Sequence, residues 1–112
     1  MGFDTGPGFV DGKHYTTYVN TVKQLKREGT IDEAESLLLR LVDATEEEAS
    51  VEGFGVAPWY YEQVAIVRRK RGDLDGELEI LRRFSRQKHA PGANPPKLLL
   101  RMRKVEVKLR EV

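Results

Sequence analysis

The apolar residues of this chain recur with the period of an α-helix in five successive segments. In the first segment the apolar stripe consists of Tyr15, Tyr18, Val19, Val22 and Leu25. Steps of three or four residues place such side chains on one face of a helix. Gly29 predicts the end of this helix, because glycine adopts the positive φ that follows a last helical turn. We therefore expect a first helix from about Lys13 to Gly29.

Helix signals bound the next two segments. Thr30 to Glu33 is typical of a capping box, in which the Thr30 hydroxyl accepts from the Glu33 amide. The second helix is predicted to continue to about Glu52, with Gly53 as its stop, and to bury Ala34, Leu37, Leu38, Leu41 and Val42. Pro58 suits the first position of a third helix, which Gly72 ends. Tyr60, Val64 and Val67 share its apolar face.

The last two segments complete an all-α prediction. Asp73 caps a fourth helix whose stripe is Leu74, Leu78, Leu81 and Phe84. Asn94 followed by two prolines begins a fifth, with an apolar face of Leu98, Met102, Val105, Leu109 and Val112. The stretch 105–109 also alternates like a strand, but the helical spacing extends through it on both sides. No segment is predicted to be a strand.

The first twelve residues contain four glycines and Pro7. Because glycine loses the most entropy on ordering, residues 1–12 are predicted to be a flexible arm, although Phe3, Phe9 and Val10 could dock on the body. Residues 13–112 are predicted to form one domain. It would contain a hairpin over 13–52, a hairpin over 57–88 and a capping helix over 95–112.

An internal repeat links the two hairpins. The segments 26–34 and 69–77 each contain a basic helix end, a glycine, a capping residue, an aliphatic residue and an acid. Gly29 and Gly72, their turn glycines, are 43 residues apart. Over roughly residues 14–88 this pattern resembles the tetratricopeptide (TPR) family of helical hairpins. Ala34 matches a small residue of the family's second helix, whereas Glu77 stands there in the second copy.

The sequence departs from the family pattern in the length of its repeat. The family repeats every 34 residues, so about nine extra residues lie in the long second helix and the loop after it. The resemblance implies two antiparallel TPR-like hairpins, with the fifth helix as the cap that seals an open end. The run that extends from residues 12–15 to residues 59–61 also looks like the TPR-like tails of bacterial multidomain proteins of nucleic-acid metabolism. A bacterial or phage origin is the corresponding expectation.

The resemblance also implies a binding groove, because the first helix of each TPR hairpin lines a concave surface. The groove positions become Thr16, Val19, Lys23, Lys26 and Arg27, then Trp59, Glu62, Ile66, Arg69 and Lys70. Half of these are basic, so the expected ligand is an acidic peptide or a partner protein. Trp59 is the candidate exposed anchor, since Tyr60 and Tyr61 are expected to pack inside. The family's chaperone-tail clamp is not expected, because Val19, Glu62 and Ile66 stand at three of its positions.

Charge adds an alternative. The 112 residues include 19 Lys+Arg and 18 Asp+Glu. Residues 1–56 hold five basic and eleven acidic side chains, a net charge of −6, whereas residues 57–112 hold fourteen and seven, a net charge of +7. One side of the fifth helix carries Lys97, Arg101, Lys104 and Lys108. This stripe could follow the phosphates of a nucleic acid, or it could be a solvated face of the capping helix.

Several function classes are excluded or disfavoured. Without cysteine the chain has no disulfide, thiolate zinc site or cysteine nucleophile. His14 and His89 lack a second ligand at metal-site spacing, and the serines lack a base and an orienting acid. No apolar run spans a bilayer, and residues 1–6 do not resemble a signal peptide. We expect a cytoplasmic, non-catalytic adaptor without metal or cofactor, which could dimerise by stacking its open end.

Overall fold

The computed structural model describes residues 6–92 and 94–111 and divides the chain into two compact units. The first unit is Met1–Gly53 and the second is Phe54–Val112. Five α-helices dominate the described residues, so the all-α prediction is confirmed. Phe3 and Val112, which the sequence placed in a docking arm and on the apolar face of the fifth helix, lie outside the described residues. No helix in the described ranges has the length and apolarity needed to cross a membrane.

The first unit begins with a short hairpin that the hydrophobic pattern did not predict. Strands β1 (Phe9–Val10) and β2 (Lys13–His14) pair antiparallel through a two-residue turn. Both turn residues have positive φ, 50° at Asp11 and 81° at Gly12, which is the backbone of a type I′ turn. Because a two-residue strand cannot display alternation, only the Asp-Gly pair signals this hairpin in the sequence.

The hairpin packs on a helix, so residues 8–12 differ from the predicted flexible arm. Val10 is buried, and β1 contacts helix α2 (Ile31–Glu52). Arg40 of α2 donates to both carboxylate oxygens of Asp11, at 2.7 and 3.0 Å. This exposed pair holds the pKa of Asp11 below its usual range. Tyr18 donates its hydroxyl to the Val10 carbonyl at 2.5 Å.

The first helix starts later than its apolar stripe predicts. Tyr15–Tyr18 form a 3-10 turn and α1 covers Val19–Arg27. The delay has a local cause, because His14 belongs to β2 and caps the 3-10 turn by accepting from the Thr16 amide. α1 then packs against α2 across a turn that includes Gly29, whose φ is 79°.

The predicted capping box at the start of α2 is wrong in its hydrogen bonds. Thr30 is the N-cap residue, but its side chain makes no capping bond. Its hydroxyl instead donates to the Leu25 carbonyl at 2.9 Å, satisfying the end of the preceding helix. α2 runs to Glu52 and ends at Gly53 with φ 78°, as the sequence predicts. The described core of the unit includes Tyr15, Val22, Ala34, Leu38, Leu41 and Val42.

The second unit contains helices α3 (Pro58–Lys70), α4 (Leu74–Ser85) and α5 (Asn94–Arg110), each of which contacts the other two. Pro58 opens α3, and Asp73 caps α4 by accepting from the Gly76 amide at 2.8 Å. Both features match the sequence prediction. The core includes Tyr61, Val64, Leu81, Phe84, Leu98 and Val105. The helical interpretation of residues 105–109 is confirmed.

Candidate functional site

A buried carboxylate joins the three helices of the second unit. Glu77 of α4 has no solvent-exposed surface. Its Oε2 accepts a hydrogen bond from Nε of Arg101 on α5 at 2.7 Å. Its Oε1 lies 3.2 Å from Nε of Arg69 on α3, as an ion pair without hydrogen-bond alignment. Because an unpaired buried charge is costly, both arginines are held beside this carboxylate.

The first turn of α4 places Glu77 in this position. The Asp73 side chain folds over the turn to cap it, and a Cβ at Gly76 would collide with that carboxylate. Arg68 of α3 donates to the Gly76 carbonyl at 2.9 Å, which ties the turn to the neighbouring helix. Glycine directly before Glu77 therefore leaves the Asp73 carboxylate room to cap the turn in this position.

The two arginines line a cleft of about 450 Å³ between α3 and α5. Its cationic lining consists of Arg69, Lys97, Arg101, Lys104 and Lys108. Among the described residues that line it, Glu62 is the one with a carboxylate, and Leu98, Leu100 and Val105 supply apolar surface. Leu100 is 54% exposed. The cleft thus combines a strong positive charge with an apolar edge.

The cations of α5 form a regular row. The four are four, three and four residues apart, so they lie on one side of the helix and span about 16 Å at 1.5 Å per residue. Within residues 6–92 and 94–111, no ion pair engages Lys97, Lys104 or Lys108. Glu106, the acid nearest in sequence, is instead paired with Arg82 at 3.2 Å. The lysines therefore keep their charge available to a ligand.

The structure brings together two surfaces that the sequence treated separately. Arg69 and Glu62 were predicted as groove residues of α3, and the α5 row was predicted as an alternative nucleic-acid face. All six residues line the same cleft. The other predicted α3 positions, Trp59, Ile66 and Lys70, are not among its lining residues. Trp59 is half-buried and packs edge-on against Tyr60, with ring centroids 5.0 Å apart.

The remaining predicted groove residues belong to the first unit. Val19, Lys23, Lys26 and Arg27 all lie on α1. Val19 and Lys26 are half-buried, whereas Lys23 and Arg27 are exposed. Arg27 donates to the Gln24 side chain at 2.7 Å. Thr16, in the 3-10 turn, has its hydroxyl 2.8 Å from Nδ1 of His14.

Sequence reasoning missed the function of Glu77, although a signal was present. Glu77 lies three residues after Leu74 and four before Leu81, so it falls on the buried stripe of α4. An acid on such a stripe needs a buried cationic partner. The resemblance to the TPR family instead presented Glu77 only as a departure from a small residue.

A second polar cluster lies in the first unit and has a structural purpose. Nε2 of His14 is 2.5 Å from Oε2 of Glu48, while Nδ1 accepts from the Thr16 amide. A Cβ at Gly8 would stand 2.6 Å from that Glu48 oxygen, so glycine is needed where the chain crosses the pair. Burial raises the pKa of the neighbouring Tyr15. The cluster holds the hairpin on α2.

His89 also has a structural function. Its ring stacks on Phe84 with centroids 4.2 Å apart, and its Nε2 lies 2.7 Å from the Phe84 carbonyl. Neither histidine joins a group of three or more metal-ligand side chains in the described part of the chain.

Comparison with known proteins found no family model, curated protein or solved structure that matches the chain. The resemblance to TPR hairpins therefore stays a prediction. The function has to be argued from the site itself.

Proposed function

We propose that the protein is a non-catalytic interaction module whose second unit binds an acidic segment of a partner protein. One observation carries the proposal. Five cations line one cleft, and a buried carboxylate fixes two of them while three lysines keep their charge unpaired within the described residues. Electrostatic complementarity of this kind steers association and selects partners of opposite charge.

The size of the cationic row sets the expected length of the ligand. A row of about 16 Å corresponds to roughly five residues of extended chain at 3.3 Å each. The ligand would place two or three carboxylates along α5. The exposed side of Leu100 gives an apolar side chain of the ligand a surface to cover. We therefore expect an acidic peptide with one hydrophobic residue rather than a uniform acidic tract.

A charge-reversal experiment tests the proposal directly. The variant Lys97→Glu/Lys104→Glu/Lys108→Glu reverses the three unpaired lysines of the cleft. The matched control Arg86→Glu/Arg103→Glu/Arg110→Glu changes the net charge equally at exposed residues that do not line it. Binding of a fluorescein-labelled peptide of glutamates around one leucine is measured by fluorescence anisotropy at 0.15 M salt. At this salt concentration the Debye length is about 8 Å, so charges outside the cleft have little effect on binding.

We expect the cleft variant to lose at least about tenfold in affinity and the control to lose less than about threefold. Equal losses would show that only the overall charge matters and would contradict the proposal. Circular dichroism of both variants checks that the helices persist.

Nucleic acid is the second candidate ligand, and the row of α5 lysines favours it. Four cations that each contact a phosphate of a single strand would give a salt dependence with a log–log slope of about −3. Single-strand binders also stack bases on aromatic rings. The described residues that line the cleft include no aromatic ring, which favours the acidic peptide. An oligothymidylate that binds more tightly than the peptide at 0.15 M salt would reverse this preference.

The wider setting is part of the same proposal. We place the module in the cytoplasm of a bacterium or in a phage-infected cell, acting without metal or cofactor. Self-association by stacking is tested by light scattering on the purified chain, in which a mass of 12.8 kDa would identify the monomer.

A further inference from the structure

The two arginines of the cleft engage Glu77 through the same atom. In both, Nε faces the carboxylate, at 2.7 Å for Arg101 and 3.2 Å for Arg69. A guanidinium has five N–H donors, of which Nε carries one and the two Nη atoms carry four. In the described part of the chain, no Nη atom of either arginine donates a hydrogen bond. Two guanidinium ends thus remain available beside the cleft.

We propose that these two guanidinium groups bind a phosphoryl group carried by the acidic partner segment. The inference rests on the proposed function and names the chemistry that the cleft selects. A phosphorylated serine or threonine has a charge of −1.5 to −2 near neutral pH and three acceptor oxygens. Arginine forks match such oxygens in pairs of parallel hydrogen bonds.

The geometry favours a phosphoryl group over a carboxylate. Both guanidinium groups lie against one carboxylate, that of Glu77, so they are close neighbours. A ligand carboxylate carries a single charge and has two acceptor oxygens. A phosphoryl group has three, so it can accept from both forks at once. The selectivity would come from donors that a glutamate of the ligand leaves unused.

Glu77 is the positioning residue of this receptor. It is completely buried, whereas the side chains of Arg69 and Arg101 are 38% and 26% exposed. The carboxylate offsets the repulsion between the two cations and fixes their orientation before a ligand arrives, which lowers the entropic cost of binding. Lys97 and Lys104 lie about one turn to either side of Arg101 and add charge for a dianion or for flanking acids.

Three peptides of identical sequence test the inference. They carry phosphoserine, glutamate or serine at one central position between acidic residues, and their affinities for the full chain are measured by anisotropy. We expect phosphoserine to bind roughly tenfold more tightly than glutamate, since one to three charge-assisted hydrogen bonds are added. Inorganic phosphate at millimolar concentration should displace the phosphoserine peptide.

Charge-conserving variants identify the forks. Arg69→Lys/Arg101→Lys keeps both charges but removes the paired donors, so the phosphoserine preference should fall to about twofold or less while glutamate binding persists. Arg103→Lys/Arg110→Lys, at exposed α5 positions outside the cleft lining, is the matched control and should keep the preference.

The variant Glu77→Gln separates orientation from charge. It makes the cleft more positive, so a purely electrostatic surface would bind every acidic peptide more tightly. If Glu77 orients the arginines, the phosphoserine preference falls instead. The lysine variants keep the test decisive if circular dichroism shows that Glu77→Gln does not fold.

The possible failures are distinguishable. Equal affinity of the wild type for the phosphoserine and glutamate peptides overturns the phosphoryl receptor and leaves the proposed function standing. If neither peptide binds, both proposals fail. A 5′-phosphorylated oligothymidylate that binds more tightly than the phosphoserine peptide overturns the protein partner in favour of nucleic acid.

Discussion

Removing the two arginines beside Glu77 should destabilise the second unit more than removing the Glu77 carboxylate. Substitution Arg69→Met/Arg101→Met keeps most of the apolar stems but leaves a carboxylate with no exposed surface and no cation. Removing the partner of a buried charge typically costs 3–5 kcal/mol, so we expect the free energy of unfolding of the second unit to fall by about that amount. Substitution Glu77→Leu has a different consequence. It leaves two arginines that are 38% and 26% exposed and can turn toward water. We expect a loss of about 1 kcal/mol or less.

The triple variant completes the argument. Arg69→Met/Arg101→Met/Glu77→Leu replaces the whole charged cluster by apolar side chains, which in other buried clusters is neutral or stabilising by 1–4 kcal/mol. We therefore expect the triple variant to be more stable than the double arginine variant, although it carries one more substitution. This reversal of order cannot arise from independent contributions.

The assay can be confined to the correct unit. Trp59 is the single tryptophan of the chain and lies on α3, so fluorescence excited at 295 nm reports urea unfolding of the second unit. Circular dichroism at 222 nm reports both units. The m value has to stay constant across the variants for the free energies to be comparable. If the double arginine variant is no less stable than Glu77→Leu, the reasoning about an unhydrated carboxylate is wrong.

Three further predictions concern the first unit and Trp59. Gly8→Ala puts a methyl group 2.6 Å from Oε2 of Glu48 at a φ of 90°, so the first unit should lose about 1–3 kcal/mol in thermal circular dichroism; an unchanged melting temperature would show that the hairpin yields freely. Tyr15 should ionise above the usual tyrosine range in absorbance at 295 nm, and Tyr15→Phe should remove that late phase. Because its pKa is raised on folding, the associated stability is complete below the unfolded pKa, about 10, and is lost as the pH rises through the folded value. A titration with every phenol at or below the usual value would contradict this. Trp59→Ala should leave the affinity for the glutamate peptide within about twofold, since Trp59 does not line the cleft; a tenfold loss would restore Trp59 as the anchor.

Much of the helical architecture is predictable, because the residues at the helix ends determine where the helices begin and end. Gly53 and Gly72 both have the positive φ that a terminating glycine adopts, and Asp73 caps α4 through its side chain. The N-terminal segment was harder to predict. A hairpin of two-residue strands leaves no periodicity, and the Asp-Gly turn was outweighed by an apolar stripe that begins at Tyr15. Thr30 shows a similar limit. Its hydroxyl could accept from the Glu33 amide or donate to the Leu25 carbonyl, and in the structure it donates to Leu25.

The cleft was predictable only in part. The spacing of the α5 cations places them on one side of a helix whatever the fold around them. Whether that side meets α3 depends on how two helices pack, which no local pattern of this chain encodes. Glu77 illustrates the same limit. Its place on a buried stripe predicts that a cation lies beside it, but only the packing of the three helices shows that the cations are Arg69 and Arg101.

The distribution of acids within the second unit explains why its positive charge collects at the cleft. The boundary between the two units coincides with the change from net negative to net positive charge along the chain. Three acids of the second unit are paired with arginines: Glu77 with Arg69 and Arg101, Glu79 with Arg68 at 3.2 Å, and Glu106 with Arg82. In the described residues, no ion pair engages the lysines of α5. Their mutual repulsion lowers the stability of the free protein, and an acidic ligand reduces this repulsion when it binds. Lowering the salt concentration should therefore raise the affinity for that ligand. It should also raise the stability of the unit when the ligand is bound, but not when the unit is free.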